Sequence, residues 1–178
     1  ILLNDELDEE YVGNPTRTWI FDAADLNAPV LAGGGGFFDH ATPAIDHNLY
    51  VHGNFVFESN YTAGLRILRL DDLAQSQLTE IGFFDLYPAN DNPAFDGTWN
   101  NYFFAASGNV IATHMTQGLF ILRPTNLCEA PVAPSGWPMP IEPPLTLTRA
   151  ASMPRSCRQG STWAAKASLI SKRSMSSI

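Results

Sequence analysis

The first 148 residues contain very little positive charge. They hold all eighteen acidic residues of the chain but only four arginines and no lysine, and the other six basic residues lie in residues 149–178. Because nucleic-acid binding depends on Lys and Arg side chains that neutralise phosphates, this acidic stretch argues against a nucleic-acid partner. The basic stretch contains no acidic residue and is typical of a solvated tail.

Long apolar runs and cysteines are also scarce. No stretch of about 18 apolar residues occurs, so the sequence predicts no transmembrane segment. A disulfide between the two cysteines, Cys128 and Cys157, would join two segments near the C-terminus. The cysteines therefore do not indicate whether the protein occupies an oxidising or a reducing compartment.

The sequence repeats itself with a spacing near 50 residues. Residues 64–69 and 118–123 both read Gly-Leu-x-Ile-Leu-Arg, and a looser copy begins with Thr18. Each of the two close copies follows a Gly-Asn pair, Gly53-Asn54 and Gly108-Asn109, between β-rich runs. Such a pair predicts a tight hairpin turn, because both residue types tolerate positive φ. A repeat of this length is typical of propellers and arrays.

The turns divide the chain into short antiparallel strands. We predict one full four-stranded unit with strands at 45–51, 55–60, 64–70 and 78–84, a later copy at 99–105, 110–115 and 118–123, and an incomplete first copy at 1–3, 16–22 and 29–37. The predicted fold class is all-β: an incomplete β-propeller fragment of about three four-stranded antiparallel blades. A β-sandwich is the alternative architecture, although it does not explain the repeat.

Composition divides the chain into three parts. The propeller blades occupy residues 1–127, a Pro-rich linker occupies 128–148, and a disordered basic, low-complexity tail occupies 149–178. An out-of-frame gene end would also explain the tail. Because 178 residues are too few for six or seven blades of about 40–50 residues and the chain starts at Ile1, we expect a fragment of a longer protein.

Four sequence segments, at residues 3–9, 45–50, 59–66 and 82–85, resemble the choice-of-anchor B family of bacterial surface or secreted proteins with LVIVD-type repeats. The resemblance extends over residues 1–127. It implies a propeller-like fold and an extracellular or cell-envelope location, and it supplies no catalytic residue. No sorting signal or apolar anchor is recognisable after the repeats.

One polar cluster and two acidic loops are the candidate ligand or metal sites. We interpret them first as structural turn and cap residues, second as a metal or ligand site and third as catalytic groups. Calcium is the ion that the acidic loops would suit, since it takes six to eight oxygen ligands, although neither loop has EF-hand spacing. The cluster comprises Asp39, His40, Asp46, His47, Asn48 and Asn60, and the acidic loops contribute Asp5, Glu6, Asp8, Glu9, Asp91 and Asp96.

Known catalytic motifs are absent from the sequence. The four glycines at 33–36 lack the Lys-Ser/Thr of a phosphate-binding loop, so we predict a turn or bulge there. No Gly-x-Ser-x-Gly elbow surrounds a serine. The expected function is therefore a binding or adhesion module at the cell surface, with a protein or glycan partner. The alternative is a calcium-dependent propeller hydrolase or lactonase that uses a His/Asp cluster.

Overall fold

The computed structural model describes residues 1–103, 105 and 107–124. These residues form three antiparallel β-sheets with very little helix, so the all-β prediction is confirmed. The predicted linker and tail, with both cysteines, lie outside the described residues. Within the described part of the chain, no helix has the length and apolar character needed to cross a membrane.

The second sheet is a simple meander of four strands in the order β5-β6-β7-β8. It contains β5 (Asn48–His52), β6 (Phe55–Ser59), β7 (Leu65–Asp72) and β8 (Gln77–Phe84). The turn that joins β5 to β6 contains Gly53 at φ 55°, as the hairpin prediction requires. Strand β5 begins three residues later than predicted, so Asp46 and His47 precede the strand.

The third sheet has the order β11-β10-β9 and repeats the same meander. It contains β9 (Thr98–Tyr102), β10 (Val110–His114) and β11 (Gly118–Leu122). The matching Gly-Leu-x-Ile-Leu-Arg segments therefore occupy equivalent strands, β7 and β11, and each strand pairs with the one before it.

The first sheet differs from its prediction. Strand β2 (Arg17–Asp22) pairs with β1 (Leu2–Asn4) through residues 18–20, and with β3 (Val30–Leu31) and β4 (Phe37–Asp39) through residues 21–22 and 17–19. The predicted strand at 29–37 is thus divided by a 3-10 turn at Gly33–Gly35. The one-turn helix α1 (Asp8–Tyr11) inside the first acidic loop was not predicted.

The glycine-rich turn is a packing contact between the first two sheets. Its backbone lies against the 3-10 turn Leu73–Gln75 that joins β7 to β8, and a Cβ built on Gly34 would stand 1.9 Å from the Gln75 carbonyl oxygen. The Ser76 hydroxyl donates to the Gly33 carbonyl oxygen at 2.6 Å. The absence of side chains is what allows the two backbones to approach so closely.

Two buried apolar clusters hold the sheets together. One lies between the second and third sheets, where Phe57 and Phe103 stack with ring centroids 4.3 Å apart. The other lies between the first and second sheets and contains Ile20, Val56, Leu68 and Leu78. Removal of these side chains from water is the main force that orders adjacent sheets.

Candidate functional site

The polar cluster predicted around residues 39–60 is spread over several separate contacts. At the surface, the Arg17 guanidinium donates to both carboxylate oxygens of Asp39, at 2.6 and 3.0 Å. The Asn48 side-chain amide donates to the Trp99 carbonyl oxygen at 3.4 Å, which links β5 to β9. The other four members, His40, Asp46, His47 and Asn60, belong to three groups of contacts, two of them buried.

The first buried group is a chain of ion pairs between the first and second sheets. Glu58, on β6, is fully buried and accepts hydrogen bonds from the Thr18 hydroxyl at 2.8 Å and the Asn60 amide at 3.1 Å. His40 lies with Nε2 2.8 Å from the second Glu58 oxygen and with Nδ1 3.3 Å from Glu80. Glu80 also pairs with Arg66 at 3.3 Å.

Opposite charges control protonation in this chain of ion pairs. Burial alone lowers the pKa of His40, but Glu58 and Glu80 outweigh burial and raise the pKa of His40 to about 9. Burial raises the pKa of Glu58, but His40, Asn60 and Thr18 together bring it below its ordinary value. At neutral pH a protonated imidazole therefore lies between two carboxylates.

Replacement of His40 by Gln should destabilise the protein by about 3 kcal/mol at pH 6, because it leaves Glu58 buried without its cation. A raised folded-state pKa contributes stability that is complete below the unfolded value of about 6.5 and is lost as the pH rises through 9. The difference in unfolding free energy between wild type and H40Q should therefore shrink between pH 6 and pH 10 in urea titrations. A difference that stays constant with pH would contradict a protonated His40.

The second group is a partly exposed aromatic cluster around His47. The His47 Nδ1 atom and the Tyr61 hydroxyl both contact Glu6 Oε1. The His47 ring lies 4.7 Å from the Tyr61 ring and 4.5 Å from the Trp99 ring, between centroids, and Phe95 packs edge-on against Tyr61 at 5.5 Å. This cluster connects the N-terminal segment to the loop before β5, the β6–β7 loop and β9.

The third group is a cluster of buried carboxyl groups. Asp8 and Glu9 come from α1, and Asp46 comes from the loop between β4 and β5; their exposed fractions are 7%, 3% and 0%. The predicted acidic loop at residues 5–10 and the predicted polar cluster thus meet here. Each carboxyl group accepts a hydrogen bond at one oxygen, and its other oxygen is buried without a donor from the residues described around the cluster.

The hydrogen-bond donors to the three carboxyl groups are neutral. The Asn4 amide donates to Asp46 Oδ2 at 2.7 Å, and the Arg17 backbone N–H donates to Glu9 Oε1 at 3.2 Å. The Trp19 indole N–H donates to Asp8 Oδ2 at 3.3 Å. The Arg17 guanidinium, the cation of this region, is occupied by Asp39 instead.

Burial without a paired cation favours the protonated forms of Glu9 and Asp46. Burial, reinforced by the charge of Asp46, raises the pKa of Glu9 to about 8. Burial likewise raises the pKa of Asp46 to about 8, with the charges of Glu58 and Asp8 adding to it and the Asn4 hydrogen bond opposing it.

The remaining acidic candidates lie in turns. Asp5 accepts from the Leu7 backbone N–H, and Asp96 accepts from the adjacent Gly97 N–H at 2.7 Å. Asp91 is partly exposed in the segment between β8 and β9. Among residues 1–103, 105 and 107–124, no three His, Cys, Asp or Glu side chains are grouped as metal ligands. A calcium role for these residues stays a prediction.

Glu58 is a fully buried charged residue that was not among the predicted site residues. A signal was available, because Glu58 directly follows three apolar residues of β6, Phe55–Phe57, where a charged side chain must find a partner or suffer a large desolvation cost. Its partners Thr18 and His40 lie at least 18 residues earlier in the chain, so their convergence on Glu58 depends on how the first and second sheets pack.

The residues that the structure describes belong to an all-β protein, with three antiparallel sheets and buried polar contacts between them. In comparisons with protein-family models, curated proteins and solved structures, nothing matches this chain.

Proposed function

We propose that this chain is a binding module of an extracellular or cell-envelope protein, in which the three sheets are successive blades of a β-propeller-like array. The partner is a protein or a glycan that contacts the first strands of the blades. The single observation that carries the proposal is that each of these first strands bears at least one exposed apolar side chain.

The order of the strands supports the blade arrangement. The second and third sheets are meanders, and the first strand of each of the three sheets, β1, β5 or β9, lies at an edge. Strand β5 contacts both β1 and β9, so the first strands of consecutive sheets are neighbours. Sheets that repeat radially, with equivalent strands adjacent, are the arrangement of propeller blades.

The proposed contact surface consists of exposed apolar residues on these three strands. One lies on β1, one on β5 and two on β9, and about half of each side chain is exposed: Leu3 49%, Val51 47%, Trp99 47% and Tyr102 53%. Aromatic side chains are enriched in binding surfaces, because they offer large, rigid contact areas that can stack on sugar rings or on other side chains.

The charge of the chain restricts the partner. Residues 1–124 carry sixteen acidic side chains and four arginines, and three of these arginines are paired with carboxylates. An anionic partner would be repelled by such a surface, whereas neutral glycans and neutral or basic proteins would not be. The exposed apolar side chains of the proposed surface then provide the contact energy.

Substitution of Trp99 by Ala should abolish binding or weaken it at least about tenfold, because a central aromatic anchor carries much of the energy of a contact surface. The measurement is a neutral-glycan array followed by calorimetry on any glycan retained. Phe83→Ala is the matched control, since Phe83 is a 54% exposed aromatic residue on β8, at the opposite edge of the second sheet.

Retention by wild type and F83A but not by W99A would support a glycan-binding function. Equal losses in the two variants would contradict the assignment of the surface. If no neutral glycan is retained, the protein alternative is tested by cross-linking at position 51, which leaves Trp99 in place, on intact cells that carry the protein. A cross-linked partner that W99A fails to bind would identify it.

A further inference from the structure

One face of the second sheet carries the third sheet. Side chains that lie directly opposite one another on β5, β6 and β7 form two rows on that face: Tyr50, Phe57 and Ile67 in the first, and Asn48, Ser59 and Leu65 in the second. Phe103 of the third sheet stacks on Phe57, and the Asn101 amide donates to the Ser59 hydroxyl at 2.8 Å. This face thus holds a neighbouring sheet by apolar burial, a ring stack and a side-chain amide.

The outer face of the third sheet, on the side away from the second sheet, repeats these two rows. Val110, Ala112 and Leu122 belong to the apolar cluster shared with the second sheet, so the alternate residues of β10 and β11 point outwards. The outward rows are Tyr102, Ile111 and Ile121, and Asn100, Thr113 and Leu119. Four of the six positions carry the same residue type as in the second sheet, and the other two exchange Phe for Ile and Ser for Thr.

The outer face of the third sheet is much more exposed than its counterpart. Leu119 is 57% exposed, whereas the equivalent Leu65 is 2% exposed beneath the third sheet. Tyr102 is 53% exposed, and no side chain in the two outward rows is charged. Another sheet packed on this face would remove apolar area from water, as the third sheet does on the second.

The opposite end of the three sheets also has an apolar face. Ile20 and Phe38 belong to the cluster between the first and second sheets, so the alternate residues of β2 and β4 point away from the second sheet. The side chains on this outer face of the first sheet include Trp19, Phe21, Leu31 and Phe37. Leu31 is 48% exposed. Apolar faces at a molecular surface are typical of interaction sites.

We propose that the outer face of the third sheet binds a second copy of this chain, whose first sheet packs there through its own outer face. The second copy continues the order of the sheets, an arrangement that rests on the proposed blade-like array but not on the identity of its ligand. Two copies contribute six sheets, within the range of four to eight blades that closes a propeller. Each end face of one copy then meets the other end face of its partner.

The end-to-end contact joins two different faces. Such a contact forms a ring if the rotation between copies closes and a filament if it does not. Radial packing of blades turns each sheet relative to the one before it, and this rotation favours a ring of two copies. The ring covers both apolar end faces at once.

Two residues, Tyr102 and Leu3, belong both to the proposed ligand-contact surface and to the end strands of the three sheets. The counterpart of Tyr102 in the second sheet is Tyr50, which stays half-buried although the third sheet packs beside it. We expect Tyr102 and Leu3, which also lie on edge strands, to stay partly accessible in the ring.

Sedimentation velocity of the full chain tests the second copy. Wild type should sediment as a dimer at the upper end of a range from about 1 to 100 µM. Leu119→Lys should raise the dissociation constant of the dimer at least about tenfold, because it places an ammonium group in the apolar contact. Circular dichroism checks that the variant folds, which its exposed position favours, and Leu119→Ser replaces it if it does not.

Met115→Lys is the matched control. Met115 is 46% exposed and belongs to the turn between β10 and β11, so the variant adds the same charge to the same sheet outside the two outward rows. Its dissociation constant should equal that of wild type. A wild-type chain that stays monomeric over the whole concentration range, or an equal effect of L119K and M115K, would overturn the proposal.

Leu31→Lys tests the other half of the contact. It should dissociate the dimer as L119K does, since Leu31 lies on the outer face of the first sheet. A dimer that survives L31K but not L119K would mean that two third sheets pack on each other, and the end-to-end contact would be wrong. A filament in place of a dimer would contradict the closed ring of six sheets.

Glycan retention separates this proposal from the ligand-binding function. W99A should remain a dimer, and L119K should retain the glycan that wild type retains. A dimer that retains no glycan would contradict only the proposed ligand. A monomer that retains glycan would contradict only the second copy as the partner of the third sheet.

Discussion

Glu58→Gln should lower the free energy of unfolding by about 3–5 kcal/mol, the usual cost of removing one partner of a buried ion pair. Glu58 is fully buried and accepts from Thr18 and Asn60 while it pairs with His40. In the variant, the new NH₂ group of Gln faces other donors, and protonated His40 loses its closest counter-charge. Urea unfolding at pH 7, followed by circular dichroism, measures the loss.

Glu80→Gln is the matched control for Glu58. Glu80 contacts the other nitrogen of the same imidazole, but at 3.3 Å and with 29% of its side chain exposed. Water can reach the site of the substitution, so we expect the free energy of unfolding to fall by about 1 kcal/mol, as for a partly exposed ion pair. Equal losses at positions 58 and 80 would contradict the view that Glu58 is the centre of the chain of ion pairs.

Acid should weaken the same contact in the wild-type protein. The pKa of Glu58 lies below its ordinary value of 4.5 in the folded protein, because His40, Asn60 and Thr18 outweigh the effect of burial. A lowered pKa contributes stability above the unfolded value, and this stability is lost as the pH falls through the folded value. Acid thus weakens the contribution of Glu58 to stability, whereas it favours the folded forms of Glu9 and Asp46, whose pKa values are raised.

Gly64→Ala should destabilise the protein by about 2–4 kcal/mol, the sum of a positive-φ penalty and an overpacking penalty. Gly64 has φ +83°, and a Cβ there would lie 2.4 Å from the Phe84 carbonyl oxygen and 2.8 Å from the Asp85 Cα atom. Both obstacles are backbone, so the β6–β7 loop or the end of β8 must shift. Thermal and urea unfolding measure the effect.

Gly13→Ala separates the two penalties. Gly13 has φ +81°, almost the same as Gly64, but a Cβ at position 13 would meet nothing within 4 Å in the described part of the chain. It should therefore show only the conformational penalty of about 1 kcal/mol. If the two variants were equally destabilised, the contact between Gly64 and the end of β8 would have no energetic role.

Strand positions in the second and third sheets were predictable from local sequence. Gly53-Asn54 and Gly108-Asn109 mark turns whose positive φ values suit glycine, and the apolar runs beside them became β5, β6, β9 and β10. These features act over only a few residues, because a two-residue turn and its flanking strands specify each other.

The first sheet was less predictable, because its irregular features depend on distant contacts. The run at 29–37 resembles one strand, but the turn at Gly33–Gly35 packs against Leu73–Gln75, about 40 residues later, and divides it. Helix α1 is too short to be stable alone, and burial of Asp8 and Glu9 against distant partners accompanies its formation.

The candidate sites were also predictable only in part from the sequence. The sequence indicated which segments carry acidic and histidine side chains, including Asp8, Glu9 and Asp46, but not that α1 meets the loop before β5. His40 and His47 are seven residues apart, yet one pairs with Glu58 and the other with Glu6. Their partners are set by the packing of the sheets, which brings together residues 18 and 41 positions away.

The sequence by itself determined that this protein is a β-rich chain with short strands and tight turns, because hydrophobic patterning and turn chemistry act locally. Only the tertiary structure decided which polar side chains are buried and how their charges are compensated. The physical reason is that a buried charge is tolerated only beside a suitable partner, and the partners here come from different sheets or from segments far apart in the chain.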